Sequence, residues 1–222
     1  MWRPLAGIGR HTLAENHTRA GKKTVEMIDC KEESHGVFAV SLFERNSCES
    51  IVSFVKTLDR PDDWTNAQVA GTTENGSYYS AVKPDIRSAS LLASRHGSQI
   101  LRDFDEKIHN VIKPLVKQIW RVELTKHFGT HMIRYSPGGH YVTHQDAGQV
   151  ALDRYFTVVC YLNDDFEGGH TWFPSLSYSA IPECGKAILF PSTYFHRGEP
   201  VTRGEKYVLV TWILGPIPIS WI

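Results

Sequence analysis

From residue 130 onward the chain consists of short apolar runs with turn residues between them. HMIRY, HYVTH, YFTVVCYL, HTWF, KAILF and KYVLVTWIL are separated by SPGG, NDDFEGG, PECG and TRGE. Valine, isoleucine, tyrosine, phenylalanine and threonine dominate these runs, so they predict strands, and their number and even spacing predict a sandwich or barrel. Upstream the period lengthens. Ile100, Leu101, Phe104, Ile108, Val111, Ile112, Leu115, Val116 and Ile119 trace one apolar face at a 3.6-residue repeat. Pro114 lies within that repeat, where it should kink or divide the helix. VFAVSLF at 37–43 predicts a strand, and Asn46 with Glu49, followed by Ile51, Val52 and Val55, predicts a capped helix. The segment 70–92, rich in Gly, Ser, Thr and Asn, predicts a long loop carrying at most a short strand. Residues 1–35 show no periodicity and predict a loosely held arm. The expected fold is α+β: a double-stranded β-helix, or jelly roll, with the preceding helices packed on its major sheet. A strand and helical support region spans 36–125, and the jelly-roll core spans 126–222, ending in the apolar tail GPIPISWI. All of it is read as one structural domain.

Composition narrows the classes of function. At 222 residues, with 41% hydrophobic and 22% charged residues, the chain can bury a sizeable core. Its 24 basic and 24 acidic residues cancel, which disfavours binding of nucleic acid or an anionic membrane by bulk electrostatics. Cys30, Cys48, Cys160 and Cys184 are scattered and form no C-x-x-C pair, so they read as free buried thiols. The N-terminal residues contain no continuous apolar stretch, and no apolar run reaches membrane-spanning length, so the expectation is a cytoplasmic protein.

Three residues carry the candidate chemistry. Alternation in a strand sends residues i and i+2 to the same side, so His144 and Asp146 project together. A divalent metal can use both, although an isolated H-x-D pair is equally a surface hydrogen bond, and with 11 histidines composition alone can produce one. His196, opening a later strand, supplies a third ligand. Two imidazoles and one carboxylate suit iron(II) and leave positions open for oxygen chemistry, whereas a structural zinc would want a fourth ligand. Lys206 opens KYVLVTW and shares a face with Val208, Val210 and Trp212. If that face is interior, Lys206 is a buried cation needing an anion; if the parity is inverted, it is solvated.

The blocks RYSPGGHYVTHQD, DRYFTVVCYLNDDFEGGHTWFP, GKAILFP and HRGEPVTRGEKYVLVTW together resemble the prolyl 4-hydroxylase-like branch of the iron(II)- and 2-oxoglutarate-dependent dioxygenases. The likeness is dense over 130–214 and looser over 37–125, where it includes IRSAS at Arg87-Ser88. The resemblance implies that His144, Asp146 and His196 ligate iron(II), and that Lys206 pairs with the distal carboxylate of 2-oxoglutarate. It places Tyr135 and Thr171 against that co-substrate and Trp212 beside it. Arg154 resembles an arginine that reaches the prime substrate, and Tyr141, Tyr79 and Arg87 fall where such enzymes have pocket walls and a substrate lid, which makes 70–92 the substrate loop. The implied cofactor set is Fe(II), 2-oxoglutarate and O2, with ascorbate as an accessory reductant. The implied reaction hydroxylates an unactivated C–H bond of an amino acid, a peptidyl residue such as proline, or a small natural product, and releases succinate and CO2. Collagen-type enzymes carry a histidine two residues after the equivalent of Trp212; here that position is Leu214, which turns the expectation away from a collagen-like peptide. The expected partners are a small-molecule or peptide substrate, without nucleic acid or membrane, in a monomer or homodimer. The competing readings are a jelly-roll metal-binding module without turnover, against which the intact triad and Lys206 count, and a cupin-type oxygenase that does not use 2-oxoglutarate, against which Lys206 and its tyrosine and threonine companions count.

Overall fold

The computed structural model describes residues 28–216, apart from Gln149 and the side chain of Ser98, together with the backbone of two short paired strands, Asn16–His17 and Lys23–Thr24. Most of the N-terminal arm and the end of the apolar tail thus lie outside the described residues. Two antiparallel sheets face each other. The larger, of nine strands, runs Cys30–Ser34, Val37–Ser41, Lys186–Pro191, Arg154–Tyr161, Lys206–Leu214, His131–Tyr135, Ser90–Leu92 and Trp64–Asn66, with Lys126–His127 also paired to Lys206–Leu214. The smaller runs Tyr178–Ala180, Thr171–Phe173, His196–Gly198, His140–His144 and Arg87–Ser88. This is the expected jelly roll with helices on the outer face of the major sheet.

The central strand Lys206–Leu214 shows why the two layers form. Tyr207, Leu209 and Ile213 belong to the core beneath the helices, together with Phe104, Ile112 and Leu115. Val208, Val210 and Trp212 belong to the core between the sheets, with Ile133, Phe173 and Phe190. Burial on both faces explains a nearly unbroken apolar run, and period-two alternation divides it cleanly between two cores. Lys206 falls on the inter-sheet face, so the interior parity is the one adopted.

The helical face is continuous, but its backbone is not uniform. A helix over Ser94–Lys107 passes through a π-helical turn, Ile108–Ile112, into Lys113–Trp120. Pro114, in the first turn of that last segment, has no N–H to donate backwards, and the widened turn just before it lets the apolar stripe stay on the sheet. No helix among the described residues is long and apolar enough to cross a membrane.

Three expectations are corrected. Asn46 does not cap the first helix, which spans Arg45–Lys56 behind Glu44 without a side-chain cap. The start is fixed instead by Arg45, whose guanidinium donates to both carboxylate oxygens of Asp164 at 3.0 and 2.7 Å. The segment 70–92 is not mainly loop. Val69–Thr72 and Tyr78–Ala81 form a hairpin closed through Asn75-Gly76, after which Arg87–Ser88 joins the minor sheet and Ser90–Leu92 the major one. The Asn-Gly pair is a hairpin signal, and the residues flanking it are strand formers. Finally, Cys30–Ser34 is a strand of the major sheet, inside the span read as an arm.

The Gly168-Gly169 turn illustrates how local conformation serves the interior. Both residues take positive φ, 74° and 65°, and a Cβ at Gly168 would lie 2.3 Å from the carbonyl oxygen of Pro200. Gly168→Ala is therefore expected to destabilise the protein by about 1–3 kcal/mol, read as a lower urea midpoint at constant m-value. A loss smaller than about 0.5 kcal/mol would mean that this turn is not constrained.

Candidate active site

His144, Asp146 and His196 come together at the wall between the two sheets. One ligand atom from each lies within 4.8 Å of the others. His144 Nε2 is 3.4 Å from Asp146 Oδ1, and His196 Nε2 is 3.5 Å from Asp146 Oδ2. His144 and His196 are paired across neighbouring strands, but the register shifts between Tyr141 and His144. That bulge is what allows Tyr141 and His144, three residues apart, to face the same space, with their rings stacked at 3.6 Å. Asp146 lies beyond the strand end, so its alignment is not a matter of alternation alone. Its backbone N–H donates to the carbonyl of Ser192 at 3.0 Å, and Thr157 Oγ1 donates to its Oδ2 at 2.8 Å.

The protonation pattern suits a metal. His144 Nδ1 sits 2.8 Å from the carbonyl of Val142, and His196 Nδ1 sits 3.0 Å from that of Tyr194. Carbonyls accept, so each Nδ1 carries the proton and each Nε2 presents its lone pair to the triad. Burial pushes His196 down to about 4 against a partial opposing pull from Asp146, so it is neutral at physiological pH. Burial would raise the Asp146 carboxyl, but His196, His144 and Trp212 together hold it well below the usual carboxylate range. A carboxylate and two imidazoles, with Nε2 atoms turned to the triad and an open cavity beside them, fit iron(II).

The triad opens on a cavity of about 710 Å³. At its floor Lys206 is 3% exposed, and its Nζ donates to the carbonyl of Gly169 at 2.5 Å. That carbonyl is its one hydrogen-bond partner among the described residues, and an ammonium has three donors. Burial alone lowers Lys206 to about 7. Tyr135 is its register partner on the neighbouring strand, and its ring centroid lies 5.2 Å from Nζ. Thr171, also buried, shares a 2.8 Å hydrogen bond between its Oγ1 and the Tyr161 hydroxyl. The floor thus offers one underpartnered cation and a group of hydroxyls, which fits a carboxylate.

Arg154, Tyr141 and Arg87 also line the cavity, as does Trp212, the residue expected beside the co-substrate. Tyr79 is a correction: hairpin alternation gives Tyr78 to the cavity lining and turns Tyr79 under Lys83, whose Nζ donates to its hydroxyl at 3.1 Å. Arg154 stacks on Trp212 with its guanidinium carbon 3.8 Å from the ring centroid. A bulge between Arg154 and Phe156 turns Arg154 inward where regular pairing would have turned Tyr155. Reading by sequence missed Thr157, Tyr161, Phe128 and His131. Thr157 and Tyr161 were within reach, since they share the inward face of the Arg154–Tyr161 strand with Val159. His131 lines the cavity edge-on to Trp212, with ring centroids 5.6 Å apart.

Comparison with known proteins agrees with this geometry. A family model described as the 2OG-Fe(II) oxygenase superfamily matches residues 130–214, the stretch that carries the triad and Lys206. The chain is 30% identical over 151 residues to a protein of Acanthamoeba polyphaga mimivirus provisionally named prolyl 4-hydroxylase, an alignment covering 52% of this chain and 62% of that one. It is 38% identical over 98 residues to a PKHD-type hydroxylase of Sphingopyxis alaskensis, covering 39% of this chain and 44% of the relative. The chain thus spans less than two thirds of the length of these curated relatives. Among solved structures, a Trichoplax adhaerens prolyl hydroxylase in complex with a hypoxia-inducible-factor peptide fragment superposes with a TM-score of 0.63 at 18% identity, over 81% of this chain and 83% of that one. That likeness is one of fold.

Proposed function

We propose, for a chain whose residues 130–214 match the model of the 2OG-Fe(II) oxygenase superfamily, that the cavity is the active site of an Fe(II)/2-oxoglutarate-dependent hydroxylase. Its substrate class is an amino acid, a peptidyl residue with proline included, or a small natural product. The observation that carries the reading is the pairing of a His-Asp-His donor set with a buried lysine that has no acidic partner among the described residues, on the walls of one cavity.

In this reading His144, Asp146 and His196 hold the metal, and Lys206 holds the distal carboxylate of 2-oxoglutarate with Tyr135, Thr171 and Tyr161 around it. Bound iron(II) with 2-oxoglutarate and O2 supplies the oxidative decarboxylation that yields succinate and CO2 and delivers an oxygen atom to a C–H bond. The protein's part is placement and exclusion of water. Thr157 and Ser192 fix the Asp146 carboxylate, and Tyr141 braces the His144 ring. Trp212 carries the Arg154 guanidinium stacked on its ring, and Arg154 with Tyr141 and Arg87 positions the prime substrate. Four free thiols, three of them buried, suit a reducing compartment and support a cytoplasmic location.

Adding Fe(II) and 2-oxoglutarate without oxygen is expected to give a visible metal-to-ligand charge-transfer band, and admitting O2 to give succinate. A metal-replete protein that shows no band would sink the reading in favour of a cupin-type or non-catalytic module.

The lysine gives the co-substrate a pH dependence. Burial lowers Lys206 from 10.5 to about 7, so above pH 7 the cavity without an anion holds a largely neutral amine. A bound carboxylate favours the ammonium, so binding takes up a proton and affinity for 2-oxoglutarate falls as pH rises from about 7 toward 10.5. Calorimetric titration in buffers of different ionisation enthalpy checks this; zero proton uptake above pH 7 would mean that Lys206 is charged beforehand.

A further inference from the structure

We propose that the prime substrate of this site presents a free carboxylate, gripped between Arg87 and Arg154, so that the enzyme acts on a free amino acid or a chain terminus rather than on an internal residue of a peptide. This rests on the hydroxylase reading above. The first argument is charge balance. The cavity is lined by three cations, Lys206, Arg87 and Arg154, and by a single carboxylate, Asp146. With iron(II) and dianionic 2-oxoglutarate in place, the metal, Asp146, the co-substrate and Lys206 cancel. Both arginines remain uncompensated.

Neither arginine is paired with a carboxylate side chain among the described residues, although Asp146 and Asp153 lie near enough to Arg154 to favour its charge. Arg45, Arg95, Arg197 and Arg203 each hold a carboxylate. Arg87 and Arg154 form no ion pair among the described residues. Arg154 reaches only the backbone carbonyl of Asp146, at 3.4 Å, and its acidic chain neighbour Asp153 does not line the cavity. Arg87 reaches the carbonyl of Gln68 at 3.3 Å, and its Nε is buried without any partner. A desolvated guanidinium with its donors unfilled is costly unless an anion completes it.

Both side chains are also held in place beforehand. Arg154 lies on Trp212, while Arg87 lies 4.9 Å from the Tyr141 ring, which itself stacks on His144. Stacking occupies the guanidinium faces and leaves the N–H edges, the part that matches a carboxylate. The two approach from different sheets, Arg87 from the edge of the minor sheet and Arg154 from the major one. They share the same surroundings, because both add to the effect of burial in pushing His131 down. An internal peptide residue offers only neutral carbonyls to this pair and would leave two positive charges enclosed. A free carboxylate would seat them and set the adjoining carbons beside the triad.

The test measures 2-oxoglutarate-dependent succinate release by the iron-loaded enzyme, stimulated by matched compounds. These are each proteinogenic L-amino acid as the free acid and as the carboxamide, and tripeptides centred or ending on proline or lysine, with free or amidated C-termini. The expected result is that the strongest stimulator has a free carboxylate and that its carboxamide has a KM at least about tenfold higher. Stimulation by free amino acids or only by peptides with a free C-terminus distinguishes the two sources of that group, and either supports the inference. Arg87→Met and Arg154→Met should each raise KM for the acid by about tenfold or more without a matching change for the carboxamide, with partial recovery in Arg87→Lys and Arg154→Lys. Equal response to acid and amide, a fully blocked neutral peptide as best stimulator, or no response to any free acid would overturn the inference. The wild-type comparison needs no variant to fold. Absence of the anaerobic charge-transfer band has a different signature: it overturns the hydroxylase reading itself and this inference with it.

Discussion

Asp146→Ala is expected to abolish the anaerobic Fe(II)/2-oxoglutarate band and to lower succinate release by more than about 100-fold, since even an outer partner of a metal ligand is worth up to that factor. The loss should be specific. Asp146 is braced by Thr157, which has a second partner in Ser192 Oγ at 2.9 Å, so the variant leaves no buried hydroxyl stranded. It also removes a shielded negative charge that, in the metal-free protein, faces two histidines and the Thr157 hydroxyl, with Arg154 the neighbouring cation. Thermal stability without metal is thus expected to be unchanged or higher, while metal-induced stabilisation disappears. A variant that keeps the band would show that the three donors are not the iron site, whatever its activity.

Lys206→Met should separate stability from function in opposite directions. Methionine keeps most of the volume and removes a cation that burial alone has already pushed down to about 7. Replacing a buried charge by a well-packed apolar residue is commonly stabilising, by about 1–4 kcal/mol, and the metal-free variant should unfold at higher denaturant. The sign check on pH agrees. The folded value lies below the ordinary 10.5, so the wild type is penalised most at and below about pH 7 and regains stability as pH rises toward 10.5, and the gain in the variant should be largest on the acidic side. Removing one partner of a buried ion pair costs about 3–5 kcal/mol, so half-saturation by 2-oxoglutarate should need roughly 100- to 4000-fold more co-substrate. Spectroscopic titration and urea unfolding of the same preparation measure both effects. A variant both less stable and unaltered in 2-oxoglutarate binding would assign Lys206 a structural role.

How much of this was legible in the sequence depends on whether periodicity survives locally. The strand Lys206–Leu214 was readable to the residue, because regular alternation placed Lys206, Val208, Val210 and Trp212 on one face and the fold keeps that parity. The long apolar face ending near Trp120 was readable too, including the disturbance at Pro114. The triad was found as a set of residue types, yet the reason given for His144 and Asp146 was incomplete: Asp146 is positioned by Thr157 on the next strand and by Ser192, just beyond the end of the strand Lys186–Pro191. Segment 70–92 was misread because its polar composition masked an Asn-Gly hairpin, and Tyr79 was chosen over Tyr78 because pairing register cannot be read from composition. Asn46 failed as a cap because an ion pair to Asp164 sets where the helix begins. Each miss lies where a contact distant along the chain overrides a local preference.

The two register shifts beside the cavity have a consequence for anyone who would move this chemistry to another scaffold. One brings Tyr141 and His144 to the same side, and the other turns Arg154 inward in place of Tyr155. Grafting the same letters onto an ideal, evenly paired barrel would leave a ligand or a guanidinium aimed at the wrong layer. The extra residue in each strand is thus as much a part of the blueprint as the histidines, and a transplant must copy irregular backbone before it copies side chains.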